Sequence, residues 1–195
     1  MSDIFEFSPE NLKRVEEIIA RYPAGRQASA VLPLLDIAQR QNDNYASGAV
    51  ISAVAKLLDM PRIRVAEVAS FYTMINTEPV GRYLLQFCTT TPCWLRDSAD
   101  VVSATETHLG ISFGETTGDG MFTMREVECL GACVNAPIVQ INDDMYEDLT
   151  GGRMVEILDA LRAGDVPPHG PQIERQTSAP VGGPTTLNDL DFAKS

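Results

Sequence analysis

The chain has 195 residues, a formal net charge of −12 and four cysteines, a length that suits one large domain or two small ones. Acidity without a basic block disfavours nucleic acid, because phosphate contacts need clustered Lys and Arg. No apolar run approaches the ~18 residues of a membrane span, and the acidic start Met1-Ser2-Asp3-Ile4-Phe5-Glu6-Phe7 resembles neither a secretory signal nor a transit peptide.

Residues 1–77 read as a helical segment. Ser8-Pro9-Glu10 is a helix start: a capping hydroxyl, a proline suited to the first turn, and an acid that complements the helix dipole. Leu12, Val15, Ile18 and Ile19 follow on one face, and Tyr22-Pro23 ends the run. Val31, Leu34, Leu35 and Ala38 make a second stripe, with a start or a kink expected at Pro33. Ser47 caps a third helix carrying Val50, Ile51, Val54, Leu57 and Leu58, closed by Met60-Pro61. Val65, Val68, Ala69 and Tyr72 mark a fourth. Four short amphipathic helices with short connections make a bundle or a cap, with no catalytic signal.

The pattern changes near Glu78-Pro79, and residues 78–164 read as a second domain. Arg82 to Phe87 is a strand candidate, Leu95 to Leu109 a helix, and Phe122 to Glu128 a strand. Ile138 to Asn142 and Met145 to Glu147 flank a tight turn at Asp143-Asp144. Thr150 caps a last helix carrying Val155, Leu158 and Leu161, with Gly164 as its stop. The order β-α-β-β-β-α predicts an α+β fold, a small sheet with both helices packed on it. Residues 165–195, with Pro167, Pro168, Pro171, Pro180 and Pro184, read as an extended tail.

The cysteines carry the chemistry. Without a signal peptide the compartment is expected to be reducing, where four cysteines point to metal or redox work before disulfides. Cys88 and Cys93 form a C-x4-C pair, and Cys129 and Cys133 a C-x3-C pair, separated by 35 residues. Both pairs are expected on loops at strand ends. A [2Fe-2S] cluster needs two thiolates per iron, which two local pairs can supply. Its negative charge calls for backbone N–H donors, which the helix after Cys93 and the turn at Gly131 can offer, and Trp94, Leu130 and Ala132 can limit water access. A four-cysteine zinc site uses the same ligands at shorter spacings, so spacing alone leaves zinc, disulfide and unrelated cysteine readings open.

The runs Phe71-Tyr72-Thr73-Met74, Pro79-x-Gly81, Cys88-Thr89-Thr90-Thr91-Pro92-Cys93 and Glu128-Cys129-Leu130-Gly131-Ala132-Cys133-Val134-Asn135-Ala136-Pro137 resemble the 24 kDa subunit family of respiratory NADH dehydrogenase (complex I), the bacterial NADH-quinone oxidoreductase included. The resemblance covers roughly residues 8–164. It implies a helical segment followed by a thioredoxin-like [2Fe-2S] ferredoxin domain, with Cys88, Cys93, Cys129 and Cys133 as cluster ligands. It also implies one-electron exchange with the FMN of a partner NADH-oxidising subunit, on the way to quinone, among other peripheral-arm subunits. NADH and FMN sites belong to that partner, since this chain has no GxGxxG fingerprint and no P-loop. The implied place is the cytoplasm, on the cytoplasmic face of the inner membrane. Two alternatives stand beside it. One is the equivalent diaphorase subunit of a soluble NAD-dependent formate dehydrogenase or hydrogenase. The other is a zinc-stabilised adaptor. Pro137 can be cis, as prolines beside the active loop of thioredoxin-like folds often are. His108 and His169 are isolated and read as surface or structural residues, and Asp143-Asp144 as a turn only.

Overall fold

The computed structural model describes residues 4–183, 185 and 186. Residues 1–3 of the acidic start, with Pro184 and residues 187–195 of the expected tail, lie outside the described residues. The chain divides into two compact units, the first ending at Arg82 and the second beginning at Tyr83.

The first unit holds α1 (Pro9–Ile19), α2 (Val31–Gln41), α3 (Gly48–Leu57) and α4 (Arg62–Phe71). Ser8 caps α1, its hydroxyl accepting from the Asn11 N–H at 3.2 Å, and Ser47 caps α3 by accepting from Val50 N–H at 3.3 Å. A 3-10 turn, Gln27–Ala30, leads into α2, so Pro33 sits in the first turn, where it breaks no hydrogen bond. Val15, Leu34, Leu35, Val50, Val54, Val65 and Ala69 form the core. Three stripe residues behave otherwise: Leu12, Leu57 and Tyr72 are exposed. A buried polar pin joins α2 to the segment after α4. Gln39 donates to the Met74 carbonyl at 3.0 Å and accepts from the Asn76 N–H at 3.0 Å. Asn76 in turn donates to the Asn44 carbonyl at 2.8 Å.

The second unit is α+β, as the pattern predicts. Its elements are β1 (Tyr83–Cys88), α5 (Thr91–Leu95), α6 (Ser98–Leu109), β2 (Phe122–Val127), β3 (Val139–Ile141), β4 (Asp144–Glu147), α7 (Gly151–Ala163) and β5 (Gly170–Pro171). The sheet order is β2-β1-β3-β4-β5. β1 and β2 are parallel, joined through α5 and α6, while β1–β3 and β3–β4 are antiparallel. Alternate residues of β1 (Tyr83, Leu85 and Phe87) share one core with Val101 of α6 and Met154, Ile157, Leu158 and Leu161 of α7. The hairpin turns at Asn142 and Asp143, one residue earlier than expected, because Asn142 takes the left-handed conformation with φ 54°.

Two differences from the sequence reading affect the site. The helix expected from Leu95 is two helices, interrupted at Asp97, which is left-handed with φ 69°. The proline-rich segment also adds a strand. Gly170–Pro171 pairs with β4, and the Tyr146 hydroxyl donates to the Pro167 carbonyl at 3.0 Å. The segment thereby covers an edge of the sheet that β4 would otherwise expose.

α6 and α7 pack closely at Gly151. Its N–H donates to Asp100 Oδ2 at 2.8 Å, and a Cβ there would stand 2.8 Å from the Ala104 Cβ and 3.0 Å from the Asp100 carbonyl oxygen. Gly151→Ala is expected to destabilise the second unit by about 1–3 kcal/mol. Hydrogen exchange of the α7 amides checks this: protection equal to that of the unsubstituted chain would contradict the close-packing account.

Candidate metal centre

The site begins with a strand pairing. β1 and β2 lie side by side and parallel, with Cys88 level with Val127. Both strands therefore end at the same edge of the sheet. Cys88 closes β1, and Cys129 follows β2 by two residues.

Cys88 and Cys93 are buried, together with Ala136 and Ile138, and Leu130 and Ala132 pack against them. Cys93 is brought back towards Cys88 by the single turn of α5. Thr90 precedes that helix, but its hydroxyl makes no capping bond and lies 3.2 Å from the Cys88 Sγ. Cys129 is exposed and Cys133 half-buried, with their sulfurs 3.2 Å apart. Between them Gly131 is left-handed, with φ 86°, which turns its N–H onto the Cys129 Sγ at 3.4 Å. A 3-10 turn, Cys133–Asn135, follows and leads into the cis Ala136–Pro137 peptide.

The two loops interlock. The Leu130 N–H, on the second loop, donates to the Cys88 sulfur, and the Ile138 N–H donates to the Cys93 sulfur. Burial pushes the Cys93 thiol up to about 12, and the hydrogen bond and charge of Cys88 add to the rise. Burial also acts to raise Cys88, but the Thr90 hydroxyl and N–H, with Cys93 and Leu130, outweigh it, and that thiol lies below its usual value. Cys133 is held up, first by its hydrogen bond with Cys129 and then by burial and by the charges of Cys129 and Cys88. Such mutual influence is what sulfurs in one small volume produce.

An all-thiol donor set is soft and suits iron–sulfur clusters or zinc. Here the sulfurs form two pairs. Among the described residues, no group of three or more His, Cys, Asp or Glu is arranged to hold a single metal ion. Two pairs, with N–H donors aimed at three of the sulfurs, fit the two-thiolates-per-iron requirement of a [2Fe-2S] cluster.

Several sequence expectations are altered. Cys93 lies inside the short helix α5, ahead of the expected helix, which begins at Ser98. The donors come from loop backbone at Gly131, Leu130 and Ile138. Leu130 and Ala132 shield the buried pair, but Trp94 is 66% exposed and does not. His108 and His169 stand apart from the cysteines, facing Asp159 at 2.8 Å and Asp144 at 3.6 Å. Sequence reasoning missed Thr90, whose hydroxyl faces the Cys88 Sγ. It also missed Asn135, which is buried and whose side-chain amide donates to Glu147 and to the Thr177 carbonyl.

A family model described as thioredoxin-like [2Fe-2S] ferredoxin matches residues 15–162. An NADH-quinone oxidoreductase subunit of Rickettsia conorii is 56% identical over 158 residues, covering 81% of this chain and 95% of that protein. NADH dehydrogenase [ubiquinone] flavoprotein 2, mitochondrial, of Dictyostelium discoideum is 48% identical over 183 residues, covering 94% of this chain and 74% of that protein. Among solved structures, an NAD+-reducing [NiFe]-hydrogenase in the air-oxidised state aligns with a TM-score of 0.60 at 20% identity. That alignment spans 69% of this chain and 23% of the hydrogenase chain, and is a likeness of fold.

Gly131 has open space around it, so a methyl group there meets only the cost of a left-handed backbone. Gly131→Ala is expected to lower stability by about 1–2 kcal/mol. Urea unfolding followed by circular dichroism measures it, and an unchanged midpoint would mean that the loop relaxes freely.

Proposed function

The chain belongs to the thioredoxin-like [2Fe-2S] ferredoxin family, with subunits of NADH-quinone oxidoreductases among its relatives, and on that premise we propose that it is the one-electron-transfer subunit of such an oxidoreductase, with Cys88, Cys93, Cys129 and Cys133 binding one [2Fe-2S] cluster. The observation that carries this reading is the meeting of both cysteine pairs at one sheet edge, with backbone amides directed at their sulfurs.

A bound cluster supplies a centre that takes up and returns one electron at a time. The chain's own residues set its surroundings. Cys88 and Cys93 hold the inner side among Ala136 and Ile138, away from water. The N–H groups of Gly131, Leu130 and Ile138 offset negative charge on the sulfurs, which favours the reduced state. Cys129 keeps the outer side open. Trp94 and Leu95 of α5 and Val134 of the 3-10 turn are exposed apolar residues next to the cysteines in sequence, a composition suited to a protein partner.

The partner in this reading is the FMN-bearing, NADH-oxidising subunit, with other peripheral-arm subunits beside it. The helical segment 1–77 and the tail 165–195 serve fixed assembly, as a mobile carrier has little use for them. Among the described residues no helix is long and apolar enough to cross a membrane. The complex would hold the chain at the cytoplasmic face of the inner membrane. The 56% identity to an NADH-quinone oxidoreductase component favours this owner over a soluble formate dehydrogenase or hydrogenase, and the proteins that co-purify distinguish them.

Anaerobically purified chain is expected to carry about two irons and two sulfides, to be EPR-silent when oxidised, and to give a signal with average g below about 2 after dithionite. One zinc per chain without sulfide would instead establish the adaptor reading. Cys88→Ser or Cys129→Ser is expected to lose or severely perturb the cluster and loosen the second unit, because ligand binding is coupled to folding. Wild-type iron content with an unchanged EPR signal in either variant would refute the ligand assignment.

A further inference from the structure

Arg175 lies beyond the 15–162 span of the family match, in the proline-rich segment, yet its side chain is only 8% exposed. One nitrogen, Nη1, serves three acceptors. It donates to the Val134 carbonyl at 3.3 Å, to the Asn135 Oδ1, and to the Asp148 Oδ1 at 3.5 Å, and it stands at ion-pair distance, 3.3 Å, from the Asp148 Oδ2. Val134 is the residue after Cys133, and Asn135 is the next.

These contacts bear directly on the second cysteine pair. Asn135 N–H donates to the Ala132 carbonyl at 2.9 Å, and Ala136 N–H to the Cys133 carbonyl at 3.3 Å, so the 3-10 turn transmits any shift of Asn135 to the Cys133 backbone. Asp148 N–H closes the frame by donating to the Asn135 carbonyl at 2.6 Å. Asp148 is 4% exposed and left-handed, with φ 51°. Without Arg175, Asp148 would be a buried acid left with only the weaker charge of Arg96, and Asn135 Oδ1 and the Val134 carbonyl would each lose a donor.

We propose that Arg175 is a positioning residue for the cluster: delivered by the C-terminal segment, its buried guanidinium pins the Cys133–Asn135 turn and thereby fixes Cys133 and the charge around the outer side of the site. The inference rests on the cluster-binding reading above. Lysine cannot reproduce it fully, because its side chain is one bond shorter and its ammonium stops short of the position from which Nη1 reaches all three acceptors.

The test compares full-length wild type, Arg175→Met and Arg175→Lys after anaerobic reconstitution. Iron and sulfide are assayed, followed by EPR-monitored redox titration and the rate of visible bleaching under an iron chelator. Arg175→Met is expected to load the cluster but with displaced g-values, a lower reduction potential and several-fold faster bleaching; Arg175→Lys should shift the same way by less. Wild-type g-values, potential and bleaching rate in Arg175→Met would overturn the positioning role. If Arg175→Met does not accumulate as folded protein, Arg175→Lys decides: a shift in the same direction supports the role and wild-type behaviour overturns it. Failure of the wild-type chain itself to load two irons and two sulfides would remove the cluster reading, and this inference with it.

Discussion

The parallel pairing of β1 with β2 is the constraint on which the second unit depends. Strands that run side by side in the same direction end at the same edge, so the loops after them must be neighbours. Cys88 level with Val127 turns a separation of 35 residues between the cysteine pairs into adjacency. The crossover through α5 and α6 enforces that direction, because a parallel return needs a long connection. α6 then packs beside α7 on the face of Tyr83, Leu85 and Phe87.

Adjacency alone leaves Cys93 and Cys133 hard to ionise. Burial, with the hydrogen bond and charge of Cys88, pushes Cys93 up to about 12, and the hydrogen bond with Cys129, followed by burial, raises Cys133. The backbone offers partial compensation through the amides of Leu130, Ile138 and Gly131, and the Thr90 hydroxyl lowers Cys88. A bound metal centre would supply the positive charge that completes the balance, and thiolate sites couple metal uptake to folding for this reason. The centre is also uneven. Cys88 and Cys93 sit in an apolar pocket, whereas Cys129 meets solvent, so one side is insulated and the other is approachable.

The periphery of each unit is fastened by polar groups that contribute little apolar area. In the helical unit Gln39 and Asn76 satisfy backbone groups of the loops after α2 and α4. In the second unit Gly170–Pro171 covers the β4 edge and Arg175 reaches the Cys133–Asn135 turn. Buried donors and acceptors of this kind stabilise mainly because leaving them unpaired is costly.

Local chemistry was legible in the sequence wherever the cause was local. Ser8, Ser47 and Thr150 cap the helices they precede, and Gly164 ends α7 in the left-handed form, because caps depend on the nearest few residues. The α+β class followed from hydrophobic periods, and the spacing of the cysteines marked out two local pairs. What required tertiary structure was distant or conformational. The break at Asp97 depends on a left-handed residue that no periodicity marks. Trp94 had the composition of a shield, but α5 turns it outward. The order β2-β1-β3-β4-β5, with its fifth strand from a proline-rich segment, reflects an edge needing cover and not any propensity of Gly170 and Pro171. Arg175 gave no sequence signal, since its meaning lies in groups 27 to 41 residues away. Sequence determined which side chains can do the chemistry, through residue type and short-range spacing. Tertiary structure decided which of them meet and what holds them there, because hydrogen bonds and strand pairings between distant residues exist only once the chain has folded.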